Sequence, residues 1–275
     1  MKKSLLSLLG LAATAALGTS VANAATTYNF DVSQADYNAN FIGPAAANAN
    51  YSAAWQAAGG VLNSGSLDGD ANQRTGYYGT TVGQFVNVND SYFVSTRALI
   101  NTSVTSTGSN LRVGFQMDPT LSLTGGGFFA AQLQTTAHSG GNATAMNIGF
   151  DSRNNAAGTS IAAADTSFGV TIDDQWYELK LTLTYQGSNN FIGVVDLLSW
   201  GTDGNTGGTL VDTFTTASIS RSSMVGTNIF GGFQSSQNNA GFRTETIDQF
   251  SIIPEPSTTL LGALGVLALL RRRRA

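Results

Sequence analysis

Cysteine is absent from this chain, histidine occurs once and proline four times in 275 residues. Without cysteine there are neither disulfides nor thiolate metal sites, so an exported form must rely on its core alone. The single histidine, His138, sits in Thr136-Ala137-His138-Ser139-Gly140-Gly141. One imidazole does not make a zinc centre, and no Gly-x-Ser-x-Gly elbow accompanies it to make a hydrolase triad. Its glycine-rich surroundings point to an exposed loop.

Charge is also scarce, at 11% of residues. Residues 25–253 hold seven Lys and Arg against sixteen Asp and Glu, a net charge of −9. Nucleic acid demands clustered basic side chains, so that partner is excluded. Glutamate is rarer still, with only Glu178 and Glu245 in this span. Glycoside hydrolysis needs two carboxylates across one bond. The adjacent pair Asp173-Asp174 would point to opposite faces of a strand, so it reads as a turn before Trp176. The composition thus leads to an expectation of no enzymatic activity.

What the chain does have is glycine, 32 residues of it, together with many Ser, Thr and Asn. These punctuate short apolar-polar alternations. Tyr177, Leu179, Leu181, Leu183 and Tyr185 fall on one side of a strand, with Glu178, Lys180, Thr182 and Thr184 on the other. Leu111, Val113, Phe115 and Met117 alternate in the same way. Such period-two runs mark half-buried antiparallel strands. Phe191–Trp200 is apolar on both faces and fits either a covered strand or a helical turn. Gln186-Gly187-Ser188-Asn189-Asn190 before it is a hairpin turn. Further strands are expected at Tyr28–Val32, Val82–Val88, Tyr92–Asn101, Phe128–Thr135, Met146–Phe150, Phe168–Ile172, Thr209–Phe214, Ile229–Gln234 and Thr246–Ile253. The alanine-rich residues 44–58 could hold one short helix ended by Gly59-Gly60. A dozen short strands with polar turns predict an all-β, two-sheet antiparallel jelly-roll sandwich.

Both ends carry targeting patterns. Lys2 and Lys3, the apolar run Leu5–Leu17 and the small-x-small site Ala22-Asn23-Ala24 form a secretory signal peptide over residues 1–24, with Ala25 as the mature start. The domain then spans 25–253, and 254–275 is a separate segment. There, Pro254-Glu255-Pro256-Ser257 precedes an uncharged stretch of thirteen residues, Thr258–Leu270, and then Arg271, Arg272, Arg273 and Arg274. As a helix, thirteen residues cover about 20 Å against a hydrocarbon core of about 30 Å. A transmembrane helix over about 257–270 is therefore short, and the four arginines would stop transfer with the body outside.

Pro-Glu-Pro, a short apolar segment and an arginine cluster in this order resemble the PEP-CTERM sorting signal of Gram-negative bacteria. The resemblance implies export by the general secretion machinery and an inner-membrane intermediate held by the C-terminal helix. It further implies processing by an exosortase and delivery to the cell surface or extracellular matrix. Trp176–Leu181, the hairpin, Phe191–Leu198 and the ending Gly241–Ile252 resemble concanavalin A-like sandwiches of the laminin-G or legume-lectin kind. That fold hosts lectins, glycanases and inert spacers, so it does not by itself assign an activity.

Two further candidates come from the residues. Asp68-Gly69-Asp70-Ala71-Asn72 alternates oxygen donors as a calcium loop does, with Asp68, Asp70 and Asn72 as ligands. Gln73 and Gly79 then break the EF-hand pattern, and no cofactor is required by anything else in the chain. Asp203-Gly204-Asn205 is a shorter version. Trp55, Trp176 and Trp200 could stack on sugars, core burial being their commoner use. The expectation is an exported surface or matrix protein whose non-catalytic sandwich binds polysaccharide or packs as structural material. An exported hydrolase with an unfamiliar site, or a protein held permanently in the inner membrane facing the periplasm, are the alternatives.

Overall fold

The computed structural model describes residues 26–29, 39–42, 55–56, 61–62, 74–79, 81–101, 110–118, 128–135, 146–153, 160–168, 175–204, 207–236 and 243–254. The signal segment, Asp68, Asp70, Asn72, His138, Asp173-Asp174 and residues 255–275 lie outside them. The described residues form two antiparallel sheets facing each other across one core.

The first half supplies β1 (Thr26–Asn29), β2 (Phe41–Ile42), β3 (Trp55–Gln56), β4 (Val61–Leu62), β5 (Arg74–Tyr78), β6 (Ser91–Asn101), β7 (Asn110–Gln116) and β8 (Phe128–Thr135). The second supplies β9 (Met146–Arg153), β10 (Ser160–Phe168), β11 (Gln175–Gly187), β12 (Asn190–Ser199), β13 (Thr209–Thr215), β14 (Ile219–Ser220), β15 (Phe230–Ser236) and β16 (Arg243–Pro254). One sheet of nine strands runs β13-β12-β11-β6-β16-β4-β3, with β1 joined to β16 and β14 to β12. The other, of seven, runs β10-β9-β8-β7-β15-β5-β2. The last strand thus sits inside the nine-stranded sheet, held by β6 on one side and by β1 and β4 on the other.

The hairpin β11–β12 is the clearest case of sequence dictating geometry. Gly187, Ser188 and Asn189 all have positive φ, at 87°, 50° and 65°. Two such residues in a row give the turn twist that antiparallel strands prefer, and Gly and Asn adopt it readily. Register follows: Tyr185 faces Phe191, Leu181 faces Val195 and Tyr177 faces Ser199. Along β12, Phe191, Gly193, Val195 and Leu197 are buried while their neighbours are half-buried. The run that looked apolar on both sides is therefore a strand with one core face.

Two aromatic groups fill the space between the sheets. Phe191 lies 5.0 Å from Phe85, 5.5 Å from Phe129 and 5.1 Å from Tyr185, ring centre to ring centre. Phe41 lies 4.9 Å from Tyr28, 5.9 Å from Phe233 and 5.6 Å from Phe250. Gly231 on β15 has no Cβ because Ile252 and Val94 of the opposite sheet press against its backbone. Arg221 is buried among these groups, its guanidinium 5.2 Å from the Phe129 ring centre.

One strand expectation and one helix expectation shift. Val82–Val88 makes only single bridges, Gly83 to Ile229 and Phe85 to Val225. Asp90 Oδ2 accepts the Val86 and Asn87 backbone N–H groups at 2.7 and 2.6 Å, which curls the segment into a turn. Of the expected Phe168–Ile172 only Phe168 is described, as the last residue of β10; residues 169–172 lie outside the described residues. Trp55 and Gln56 pair with Leu62 and Val61 as strand rather than helix, because a β partner follows within seven residues; the rest of the expected helix, 44–54 and 57–58, lies outside the described residues. Among the described residues no helix is long and apolar enough to cross a membrane.

Candidate functional site

The outer faces of the two sheets differ. On the seven-stranded sheet, Leu111, Val113 and Phe115 point into the core, so Arg112, Gly114 and Gln116 point out. The register aligns Gln234, Arg112 and Gln132 across three strands, and Gly232, Gly114 and Ala130 beside them. Arg112 Nη2 donates to Gln132 Oε1 at 3.4 Å. Gly114 is required because the backbone of Phe129 and Ala130 lies where its Cβ would be. Arg112, Gln116, Gln132 and Gln234 are all buried, at 8% exposure or less. This row is polar but closed.

The open polar-aromatic surface is on the nine-stranded sheet. Inward Tyr177 and Leu179 leave Trp176 and Glu178 facing out from β11. Pairing sets Glu178 between Arg97 of β6 and Leu198 of β12. The hairpin register carries Trp200 to the place opposite Trp176, and the two are linked by Trp200 N–H donating to Trp176 O at 2.8 Å. Trp200 Nε1–H donates to Glu178 Oε2 at 3.0 Å. The Arg97 guanidinium stacks over the Trp200 ring, 4.7 Å from its centre, and Nη1 donates to Gly204 O at 3.1 Å.

A short turn, Gly201–Gly204, closes over this group. A Cβ on Gly204 would sit about 3.1 Å from three atoms of the Trp176 ring, and φ there is +70°. Only glycine meets both demands at once. Gly208 approaches Trp200 and Leu198 in the same way. Trp176, Trp200, Arg97 and Glu178 remain half-buried, each with a solvent-facing part. Next to them Leu210 pairs with Leu198 and is 56% exposed. One row further along, Thr213 Oγ1 donates to Asp196 Oδ1 at 2.7 Å and Lys180 Nζ lies 4.3 Å from the Phe93 ring centre.

Chemically this surface combines a hydrogen-bond acceptor, a cation and aromatic rings. Glu178 is held by an indole N–H and flanked by a guanidinium, which suits accepting hydrogen bonds. Aromatic faces and edges offer apolar contact with polar handles, the combination that suits a ring bearing hydroxyl groups. Among the described residues no group of three His, Cys, Asp or Glu side chains gathers to hold a metal.

Of the residues singled out from sequence, the structure brings Trp176, Trp200, Glu178, Asp203 and Gly204 into one neighbourhood. Trp55 lies in β3, at the far edge of the same sheet. Arg97 was not foreseen, because it comes from a strand nearly eighty residues earlier. The opposition of Trp176 and Trp200 was available in the sequence by counting outward from the Gly187–Asn190 turn.

Comparison with solved structures places this sandwich among the legume-lectin-like folds. Lectin II from Ulex europaeus superposes with a TM-score of 0.56 at 14% identity, covering 84% of this chain and 98% of that one. Lectin I-B4 from Griffonia simplicifolia, in metal-free form, gives 0.53 at 14% identity over 82% and 98%. The legume lectin-like domain from Entamoeba histolytica gives 0.52 at 8% identity over 84% and 97%. The second resemblance holds too: residues 253–274 match the PEP-CTERM protein-sorting motif. No curated protein matches the sequence. The chain is thus a legume-lectin-like sandwich carrying a PEP-CTERM sorting motif, and that motif implies export.

Proposed function

We propose that this protein is an exosortase substrate delivered to the cell surface or extracellular matrix, where its sandwich binds polysaccharide without catalysis. The Trp176–Trp200 platform, with Arg97 and Glu178, is the contact surface. The observation that carries the reading is the pairing of a sorting motif at 253–274 with a lectin-like fold whose open face presents aromatic and hydrogen-bonding groups together. Stacking supplies affinity and the fixed carboxylate and guanidinium supply orientation.

A broad glycan array probed with the full chain in detergent micelles, with and without calcium, tests this. Binding to a defined glycan set is expected, weakened at least tenfold by Trp200→Ala. Calcium dependence would bring Asp68, Asp70 and Asn72 into the account. Absence of binding to every glycan would overturn the lectin reading and leave a structural role. Mass spectrometry of the surface-localised protein tests sorting: its C-terminus should fall before Arg271. An intact Arg271–Arg274 tail in surface material would overturn exosortase processing.

A further inference from the structure

The last strand does not stop short of the sorting motif. Strand β16 stays paired with β6 through Ile253 opposite Phe93 and Pro254 opposite Tyr92. Pro254 is the first residue of Pro254-Glu255-Pro256, so no linker separates the sandwich from its tail. Four residues lead from Pro254 to Thr258, where the uncharged stretch begins. Even fully extended they reach only about 14 Å. The polar interfacial zone of a bilayer is about 5–8 Å deep on each side. A sandwich held this closely has one pole within reach of the headgroups.

That pole is well defined. Ser91 and Tyr92 open β6 directly after the turn Val86–Asp90, and Leu183 opposite Tyr92 leads into the Gly187–Asn190 hairpin tip. Both loops therefore lie at the end where β16 exits. Val86 and Val88 are 58% and 59% exposed there, two of the four large apolar side chains so exposed among the described residues. The turn that presents them is tightly built. Asp90 Oδ2 takes two backbone N–H groups, Asn89 N–H donates to Tyr185 O and Tyr185 N–H donates to Asp90 O. A Cβ on Gly187 would lie 3.0 Å from Val88, so turn and hairpin tip abut. Within residues 81–91 and 185–190 the only charged side chain is Asp90. Its carboxylate is engaged inside the turn. The remaining groups are Asn, Gln, Ser and Thr, which hydrogen-bond to headgroups without repelling anionic lipid.

We infer that this pole, with Val86 and Val88 at its tip, rests in the headgroup layer of the membrane while the tail is intact, and leaves it when the tail is removed. The inference rests on the reading of 257–270 as membrane-inserted. A rigid loop carrying apolar side chains adds contact area at little conformational cost, as interfacial anchors do.

The absence of cysteine allows a direct test. The full chain is reconstituted into phosphatidylethanolamine–phosphatidylglycerol vesicles with a nitrobenzoxadiazole probe on Val88→Cys, on Val86→Cys, or on Thr202→Cys in the Gly201–Gly204 turn. Expected are blue-shifted emission and quenching by headgroup-labelled lipid at positions 88 and 86, and neither at 202. Insertion of twelve Gly and Ser residues after Ser257 should abolish both signals while the protein still floats with the vesicles. Flotation with an unshifted probe at 86 and 88 would overturn the proposal alone. Failure to float would overturn the membrane reading of the tail and this proposal with it. Circular dichroism of each labelled chain confirms the β fold.

Discussion

Replacing Arg97 by alanine should cost both stability and glycan binding, and the size of the loss can be worked from its contacts. Its Nη1 hydrogen bond to Gly204 O at 3.1 Å fastens the Gly201–Gly204 turn to the sheet. A net hydrogen bond of this kind contributes about 1 kcal/mol. Stacking over Trp200 at 4.7 Å adds roughly 0.5–1 kcal/mol for a partly exposed pair. The total is about 1.5–2 kcal/mol. For a domain of this size that lowers Tm by roughly 3–8 °C. Urea unfolding of wild type, Arg97→Ala, Trp200→Ala and the double variant closes a thermodynamic cycle. A coupling of about 0.5–1 kcal/mol is expected, since stacking is the only direct term shared. Arg97→Lys should recover little, because an ammonium cannot stack its plane on the indole while reaching the carbonyl. Additivity within about 0.3 kcal/mol, the range in which independent sites add, would show that the ring and the guanidinium merely lie near each other. The platform would then lack the rigidity that the binding proposal assigns to it.

Other outcomes follow from single contacts. Phe191→Ala empties the junction of three aromatic rings and should destabilise by about 3–5 kcal/mol, read by denaturant unfolding. Gly231→Ala forces Ile252 or Val94 away from the β15 backbone and should cost about 1–3 kcal/mol, whereas Gly207→Ala has open space around it and pays only for its φ of +57°. Burial pushes the Tyr177 phenol up to about 12 from 10.0. The folded chain therefore keeps that proton longer than the unfolded one, so stability is full below pH 10 and falls as pH rises from 10 towards 12. Unfolding curves across that range should lose this component in Tyr177→Phe. Glu178→Gln keeps an acceptor for the Trp200 indole N–H but removes its charge; glycan affinity should drop several-fold with little change in Tm, checked by calorimetry.

Much of the fold was legible because alternation is a local property. Tyr177 through Tyr185 declare their core face by spacing alone, and the positive-φ turn at Gly187–Asn189 fixes which residue meets which. Phe128–Thr135 is matched to the residue, as a mostly apolar run rather than by alternation. Expectations failed where a remote or polar contact overrides local pattern. Val82–Val88 is rich in apolar residues, yet one carboxylate, Asp90, curls its end from Val86 into a turn. Trp55 sits in an alanine-rich stretch that favours helix, but pairing with Leu62 prevails, as tertiary context commonly does over propensity.

The sorting motif at residues 253–274 was legible from the sequence by itself. Charge, apolar length and a Pro-Glu-Pro motif act through the machinery that reads them, and need no tertiary neighbour to be recognised. Tertiary structure alone decided that Arg97 would lie over Trp200, that Glu178 would receive the indole N–H, and that the Gln234-Arg112-Gln132 row would be closed. Each of these depends on strand order, which joins residues distant in the chain and leaves no periodic trace. It also decided that the sorting motif begins at the last rung of the sheet. The motif is written in three residues, but its distance from the folded body is set by where β16 stops pairing.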